Sequence, residues 1–422
     1  MRPIIYTAAA LALLVPVACS KKEAPAPEPV APAAEAEPGM TQVSAEGDFA
    51  ENLQLALIEA KPGDTIIMPE GTFAFTTGVS LDVDDVTLKG AGQDKTVLDF
   101  AGQTGAGEGL LVTADDVILT DFGIRDTKGD GIKSKDSDRI TYQYITVEWS
   151  GEPKATNGAY GIYPVESADV LVQNCTVRGA SDAGIYVGQS DRIIVRDSVA
   201  EYNVAGIEIE NSSNADVYGN IARHNAGGIL VFDLPDLPVM GGHSTRVYDN
   251  DIVDNNTVNF APVGNIVAGV PSGTGLIVMA NSDVYVTGNR FAGNRTVHAM
   301  LTAYTEPFTD PNYNPLLNDI TLTGNTYEGG LDDPQGMLAP VAQALGGALP
   351  AIVTDGVTRW NGGEDETVNL VIDEAPEVGF ISLGLGEYPL DPARLNPSMD
   401  RPQGTPVPQR EPVVLPQDKA RP

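Results

Sequence analysis

Cysteine is nearly missing from this sequence. Its 422 residues hold two, Cys19 and Cys175, so at most one disulfide could form and no disulfide framework organises the chain. Three histidines and eight methionines exclude a His- or Met-rich metal centre, and no cofactor or metal is expected. Basic residues are also few: 25 Lys and Arg against 58 Asp and Glu give a formal charge of −33. Nucleic acid is therefore excluded as a partner, because its binding rests on neutralised phosphates. The same field opposes a polyanionic ligand at long range, although screening within about 8 Å leaves local patches free to act. No long hydrophobic run replaces what is missing. The apolar stretch Ile4–Val15 is too short to cross a bilayer.

What the sequence does have is a repeat. Asp130-Gly131-Ile132, Tyr160-Gly161-Ile162, Ala183-Gly184-Ile185, Ala205-Gly206-Ile207 and Gly227-Gly228-Ile229 recur at glycine-to-glycine steps of 30, 23, 22 and 22 residues. Periods in this range mark a solenoid. The apolar residues within each unit alternate with period 2, so the units are built from strands. Ile132, Ile162, Ile185, Ile207, Ile229 and Leu276 are expected to point inward in one file. A second strand follows in each coil (Val170–Val172, Ile193–Val195, Ala215–Val217 and onward). A third is anchored by Val177, Ile221, Ile252, Phe291 and Tyr327. Asn220, Asn250, Asn289 and Asn325 recur at one turn, where asparagine tolerates left-handed backbone and its amide can bond the copies above and below. Cys175 takes the same ladder position and is expected to be a buried, inert thiol. Insertions at Trp149–Asn157, Asp233–Ser244, Asn256–Ser272 and Tyr304–Asn318 are expected to form loops around a binding face.

Taken in order, residues 1–18 resemble a bacterial export signal, and Pro16-Val17-Ala18-Cys19 resembles a lipobox with proline where leucine is usual. That resemblance implies lipidation at Cys19, and Ser20 implies sorting to the outer membrane of a Gram-negative cell envelope, so the lipid anchor is the only membrane contact expected. Ordinary signal-peptidase cleavage is the alternative. Residues 19–45 carry the lipidated cysteine and an Ala/Pro/Glu-rich tether. The helical spacing of Phe49–Ile58 reads as a plug over the solenoid's open end, which would otherwise expose strand edges. Repeats fill residues 46–330, and 331–390 read as a C-terminal cap with a partly helical Leu331–Leu349 and closing strands at Thr367–Ile372 and Gly379–Leu385. Residues 391–422 hold eight prolines and are expected to lack fixed structure.

The Gly-Ile coils, the asparagine ladder and Pro62-Gly63-Asp64-Thr65-Ile66 resemble the right-handed parallel β-helix repeat proteins, the class of pectate lyases, mannuronan C5-epimerases and NosD-like periplasmic proteins. The nearest likeness is to exported β-helix-repeat lipoproteins of unassigned activity. This resemblance implies an all-β, single-stranded right-handed parallel β-helix (solenoid) with an N-terminal capping helix. It also implies a conceivable exported partner resembling a c-type cytochrome. Epimerases carry Tyr-Gly-Phe-Asp-Pro-His in the catalytic coil. Here the matching stretch is Tyr160-Gly161-Ile162-Tyr163-Pro164-Val165, so the aspartate and histidine positions are Tyr163 and Val165.

If the Gly-Ile isoleucines point inward, the next residues form an outward file: Lys133, Tyr163, Tyr186, Glu208 and Leu230. Two positions further on lie Lys135, Val165, Gly188, Glu210 and Phe232. Tyr163, Tyr186, Glu208 and Glu210 could bind a polysaccharide, with rings stacked on aromatics and hydroxyls bonded by carboxylates. Lys133 or Lys135 with Tyr163 is the pairing that could abstract a proton beside a uronate carboxylate. The structural alternative is that exposed strand positions favour Tyr, Lys and Glu anyway. Asp233, Asp236 and His243 share one loop that reads as an ordinary polar turn. His224 reads as a turn residue, and His298 as preceding a strand without a partner. Three readings follow: a protein that binds or processes carbohydrate at the envelope, a scaffold whose loops dock another exported protein, and, least favoured, a uronate lyase or epimerase.

Overall fold

The computed structural model describes residues 39–105, 107–360 and 368–419. The stretch read as a signal, Cys19 and the tether up to residue 38 lie outside them. Among the described residues no helix is long and apolar enough to cross a membrane.

Strands dominate, and nearly all pair in parallel with the equivalent strand one coil away. The Gly-Ile strands form a sheet of eleven: Val79–Leu81, Leu110–Val112, Ile132–Lys135, Tyr160–Val165, Ala183–Gly188, Ala205–Glu210, Gly227–Phe232, Thr274–Met279, Val297–Thr302, Ile352–Thr354 and Phe380–Ser382. Ile132, Ile162, Ile185, Ile207, Ile229 and Leu276 pair in register and are fully buried. At about 4.8 Å per strand, the eleven-stranded sheet is roughly 50 Å long. The other two strands of each coil belong to a twenty-stranded sheet. Its two faces meet where Ile118–Arg125 and Thr141–Glu148 bend through left-handed Asp121 (φ 62°) and Tyr144 (φ 51°). The chain is thus a three-sided parallel β-helix. Both sheets continue past residue 330, the eleven-stranded one through Ile352–Thr354 and Phe380–Ser382 and the larger one through Leu370–Asp373.

The repeating glycine answers to space. At Gly161 a Cβ would stand 2.2 Å from Val177 and 2.6 Å from the Gly184 carbonyl oxygen. At Gly206 it would meet the Gly228 carbonyl oxygen at 2.5 Å and the Asn225 amide at 2.7 Å. Neither glycine has a positive φ. The coil is pinched at this corner, and any side chain would push one coil off the next.

The asparagine ladder forms rung to rung, with each Nδ2 donating to the next Oδ1: Asn220 to Asn250 at 3.0 Å, Asn250 to Asn289 at 2.9 Å and Asn289 to Asn325 at 3.0 Å. The left-handed residue, however, is the one before each asparagine: Gly219, Asp249, Gly288 and Gly324. The amide side chain satisfies the turn, and its neighbour supplies the backbone conformation. A second ladder, Asn203–Asn225–Asn255–Asn294, runs up the next corner at 3.0–3.1 Å. Cys175 is buried at the foot of the first ladder, where its N–H donates to Ser198. In the third strand Ala222, not Ile221, points inward: it pairs with Ala200 and Ile252, while half-buried Ile221 pairs with Val199 and Asp251. The alternation is set one residue later than the larger side chain suggests.

The N-terminal helix, Phe49–Glu59, is capped by Asp48, whose carboxylate accepts from the Ala50 and Glu51 N–H groups. Leu53 and Leu57 are fully buried in the main core, and Phe49 stacks on Phe73 at 3.6 Å. At the other end, 336–338 is a 3-10 turn that leads into the helix Ala339–Ala344.

The proline-rich C-terminus corrects its expectation. It runs as an extended strap from the last strand of the eleven-stranded sheet back across the outside of the larger one. Ser398 and Gln403 form bridges to Ser382 and Val371. Arg410 pairs with Asp283, the Val413 N–H donates to Asp216 at 2.9 Å, and Gln417 reaches the Asp169 carbonyl at 2.6 Å. Leu415 is fully buried against Leu171 and Ile194. Proline forbids helix and strand ladders, yet an extended segment needs only scattered anchors to dock. Leu415→Ala is expected to weaken this docking by about 2–4 kcal/mol. Brief proteolysis would then clip residues 398–417 from the variant and leave the wild type whole; equal clipping of both would contradict the strap.

Candidate functional site

Two outward columns on the eleven-stranded sheet carry the candidate residues in the expected register. Lys133, Tyr163, Tyr186, Glu208 and Leu230 lie one above another, as do Lys135, Val165, Gly188, Glu210 and Phe232. Their environment is not the expected one. The columns point away from the core, but most of their residues do not face solvent: Tyr186 is 4 % exposed, Glu208 1 % and Glu210 7 %. The inserted loops fold back as a roof. Val267 and Val270 of loop 256–272 pack with Tyr186, Leu230 and Phe232. Asn265 of the same loop donates to Asp182 at 2.7 Å. Tyr313, in the long turn after Thr302, donates to the Asp233 carbonyl at 2.6 Å, so two roof loops brace each other.

Glu208 is the centre of the arrangement. It is fully buried, and among the described residues neither carboxyl oxygen has a hydrogen-bond partner. Burial, then Glu210 and Asp182, pushes its carboxyl well above the ordinary range, which favours the protonated form. Glu210 accepts from the Tyr186 hydroxyl at 2.7 Å and is pushed up to about 7, chiefly by burial. Gly188 makes that bond possible, because a Cβ there would sit 2.3 Å from the Tyr186 hydroxyl oxygen. Asp130, Asp182 and Asp233 complete an acidic cluster, each raised to about 6 mainly by burial. Tyr160, Tyr163 and Tyr186 pack with ring centroids 4.5–4.9 Å apart.

The two lysines differ. Lys133 Nζ lies 4.8 Å from the Tyr163 ring centroid and 3.8 Å from Glu108. Lys135 is bound to Glu166 at 3.0 Å and to Asp136 at 3.9 Å. Burial and the nearby carboxylates push the half-buried Tyr163 up to about 12, which makes its hydroxyl a hydrogen-bond donor and not a proton acceptor at neutral pH.

Strict alternation misses Tyr160, Asp130 and Asp182. It places Tyr160 inside with Ile162, but the pinch at Gly161 turns the chain and sends Tyr160 outward with Tyr163. The weaker candidates stay apart. Asp233 accepts from the Gly241 and Gly242 N–H groups of its own loop, while His243 is exposed and contacts Ser244. Among the described residues no three His, Cys, Asp or Glu side chains are grouped to hold a metal. His224 is a left-handed turn residue stacked on Tyr202. His298 lies inside the strand Val297–Thr302 and is partnered by the Gly329 carbonyl at 3.0 Å; burial lowers it to about 4. Burial raises the Cys175 thiol to about 12, which agrees with an inert role.

Residues 108–296 match the family model described as right handed beta helix region. The fold is a right-handed parallel β-helix. Its structure resembles DFA-IIIase from Arthrobacter chlorophenolicus A6 (14 % identity, TM-score 0.52, 80 % of this chain and 99 % of that one). It also resembles the catalytic unit of the GH87 α-1,3-glucanase from Streptomyces thermodiastaticus (15 %, 0.50, 79 % and 61 %). A third likeness is to the A-module of mannuronan C-5 epimerase AlgE6 from Azotobacter vinelandii (15 %, 0.49, 78 % and 96 %). No curated protein matches the chain. Identities this low speak for the fold alone, and the β-helix has carbohydrate-active structural neighbours.

The acidic cluster links stability to pH. Carboxyls whose folded pKa is raised stabilise the β-helix fully below the unfolded value, about 4, and lose that contribution as pH rises to about 7. Glu208→Leu removes an unpartnered buried carboxyl at similar volume. It is expected to raise stability by about 1–3 kcal/mol and to flatten part of the decline between pH 4 and 7. Denaturant melts across that range test both; destabilisation at every pH would show that Glu208 is bonded.

Proposed function

We propose that this protein binds neutral carbohydrate along the Tyr163–Tyr186–Glu208 column and acts on it by acid–base chemistry at the cell envelope. The observation that carries the reading is Glu208: a buried carboxyl with no partner among the described residues, placed beside tyrosines and a second carboxyl. Natural proteins rarely leave such a group unsatisfied unless a ligand or a reaction uses it. The protonated Glu208 supplies a proton to a glycosidic oxygen, and Glu210, held by Tyr186, takes one from an attacking water. Tyr163 offers a half-exposed ring on which a sugar stacks at the open end of the column. Loop 256–272 opens to admit the sugar and closes over it again once it is bound. The fold shared with an α-1,3-glucanase is consistent with this substrate class.

A neutral glycan fits better than a uronate. Five carboxyl groups line the cluster, and the two lysines at its edge are already engaged by Glu108, Glu166 and Asp136. A lyase or epimerase also needs a base, and Tyr163, raised to about 12, is a poor one. Export through residues 1–18 and anchoring at Cys19 belong to the same proposal.

A polysaccharide array with the wild type, the double variant Tyr163→Ala plus Tyr186→Ala, and Glu208→Gln tests it. The wild type is expected to bind a neutral glycan, the double variant to lose binding at least tenfold, and Glu208→Gln to bind while losing turnover. No glycan bound by the wild type would overturn the reading and favour a scaffold whose loops dock another exported protein, a c-type cytochrome-like one among them. New unsaturated products on uronates would instead revive the lyase.

A further inference from the structure

The same two columns change character one coil beyond the glutamates. After Glu208 come Leu230, Ile277, Met300 and Val353; after Glu210 come Phe232, Met279 and Thr302. Above this apolar floor lies a cavity of about 160 Å³, roofed by Ile266 and Val270 and by Leu338, Leu383 and Leu385. Its mouth carries two exposed apolar side chains, Met337 at 69 % and Leu390 at 41 % exposure. An apolar cavity of about 150 Å³ takes up a benzene-sized guest, so this one has room for about six carbon atoms. Among the described residues, no lysine, arginine or histidine lines it. Its charged groups are Glu306 at the mouth and Asp355, which is already bonded by the Thr302 hydroxyl at 2.9 Å and the Ala303 N–H at 2.7 Å. An anionic head group is therefore disfavoured there.

Loop 256–272 ties the two regions together. Val267 packs in the cluster beside Glu208, Asn265 bonds Asp182, and Ile266 and Val270 form the cavity wall. We infer that the ligand is an amphiphile: a neutral sugar at the glutamates whose short apolar substituent, an alkyl, acyl or aryl group of about six carbons, fills this cavity. The inference rests on the carbohydrate reading and narrows it. Each rung is about 4.8 Å, so a substituent attached at a sugar beside Glu208 reaches Ile277 two rungs away.

Calorimetric titration with methyl, butyl, hexyl and decyl β-D-glucosides, and with hexanoate, tests it. Affinity is expected to rise about three- to fourfold per methylene up to hexyl and then level off, with no binding of hexanoate. Met300→Phe, which fills the cavity, is expected to abolish the chain-length gain and keep the affinity for the methyl glucoside. Met279→Phe repeats the test should the first variant melt early. No gain with chain length, a gain that survives both substitutions, or equal binding of hexanoate would overturn the inference. The carbohydrate reading stands or falls separately, on the polysaccharide array.

Discussion

Rung-on-rung stacking at the glycine corner is the constraint on which the rest of this molecule depends. Each coil must approach the next closely enough for backbone hydrogen bonds, and at Gly161 and Gly206 no space is left even for a methyl group. Once coils stack at that distance, equivalent positions must lie above one another. A file of isoleucine becomes a continuous core, and two files of asparagine become amide ladders that satisfy each turn from its neighbour. The chemistry of the outer face follows from the same rule. Tyr186 and Glu208 meet because both stand one residue after a Gly-Ile pair, not because they are near in sequence.

Stacking makes columns, and the insertions make a site. Without loops 233–242 and 256–272, Glu208 and Glu210 would face water and ionise like any surface carboxylate. Under the roof they are desolvated together, with Asp182 raising both and Glu210 raising Glu208 further. Burial without a partner destabilises the fold locally. A protein that keeps such a group holds it in a protonation state that water would not permit, which is the property acid–base chemistry requires. The same roof makes an apolar chamber further along, because beyond Glu208 the columns turn to Leu230, Ile277 and Met300.

The architecture and the columns were legible in the sequence because both follow from a period. The Gly-Ile repeat names the inward file, and the residue after it names the outward one. What lies over the outside was not legible, since alternation separates inside from outside of the coil and is silent on what covers the outside. Tyr160 escaped because Gly161 breaks the alternation at the pinch. The second asparagine ladder left a partial signal: Asn203 and Asn225 each stand three residues before a repeat glycine, but insertion 256–272 moves Asn255 far from Gly275. Ile221 misled because size suggested an anchor where small Ala222 fits the narrow corner. The strap misled for a related reason. Its anchors, Val413 and Leu415, have no repeat to announce them.

One measurement reaches the central claim directly, that stacking under a roof keeps a carboxylic acid neutral in this face. The infrared carbonyl band of protonated carboxyl groups, recorded at pH 7 in the Glu210→Gln background as the difference between Glu208 and Glu208→Gln, reports Glu208 without its neighbour. A protonated band that is present with Glu208 in place and lost in the double variant is the result this structure predicts. Its absence with Glu208 in place, and so ionised, would contradict the account.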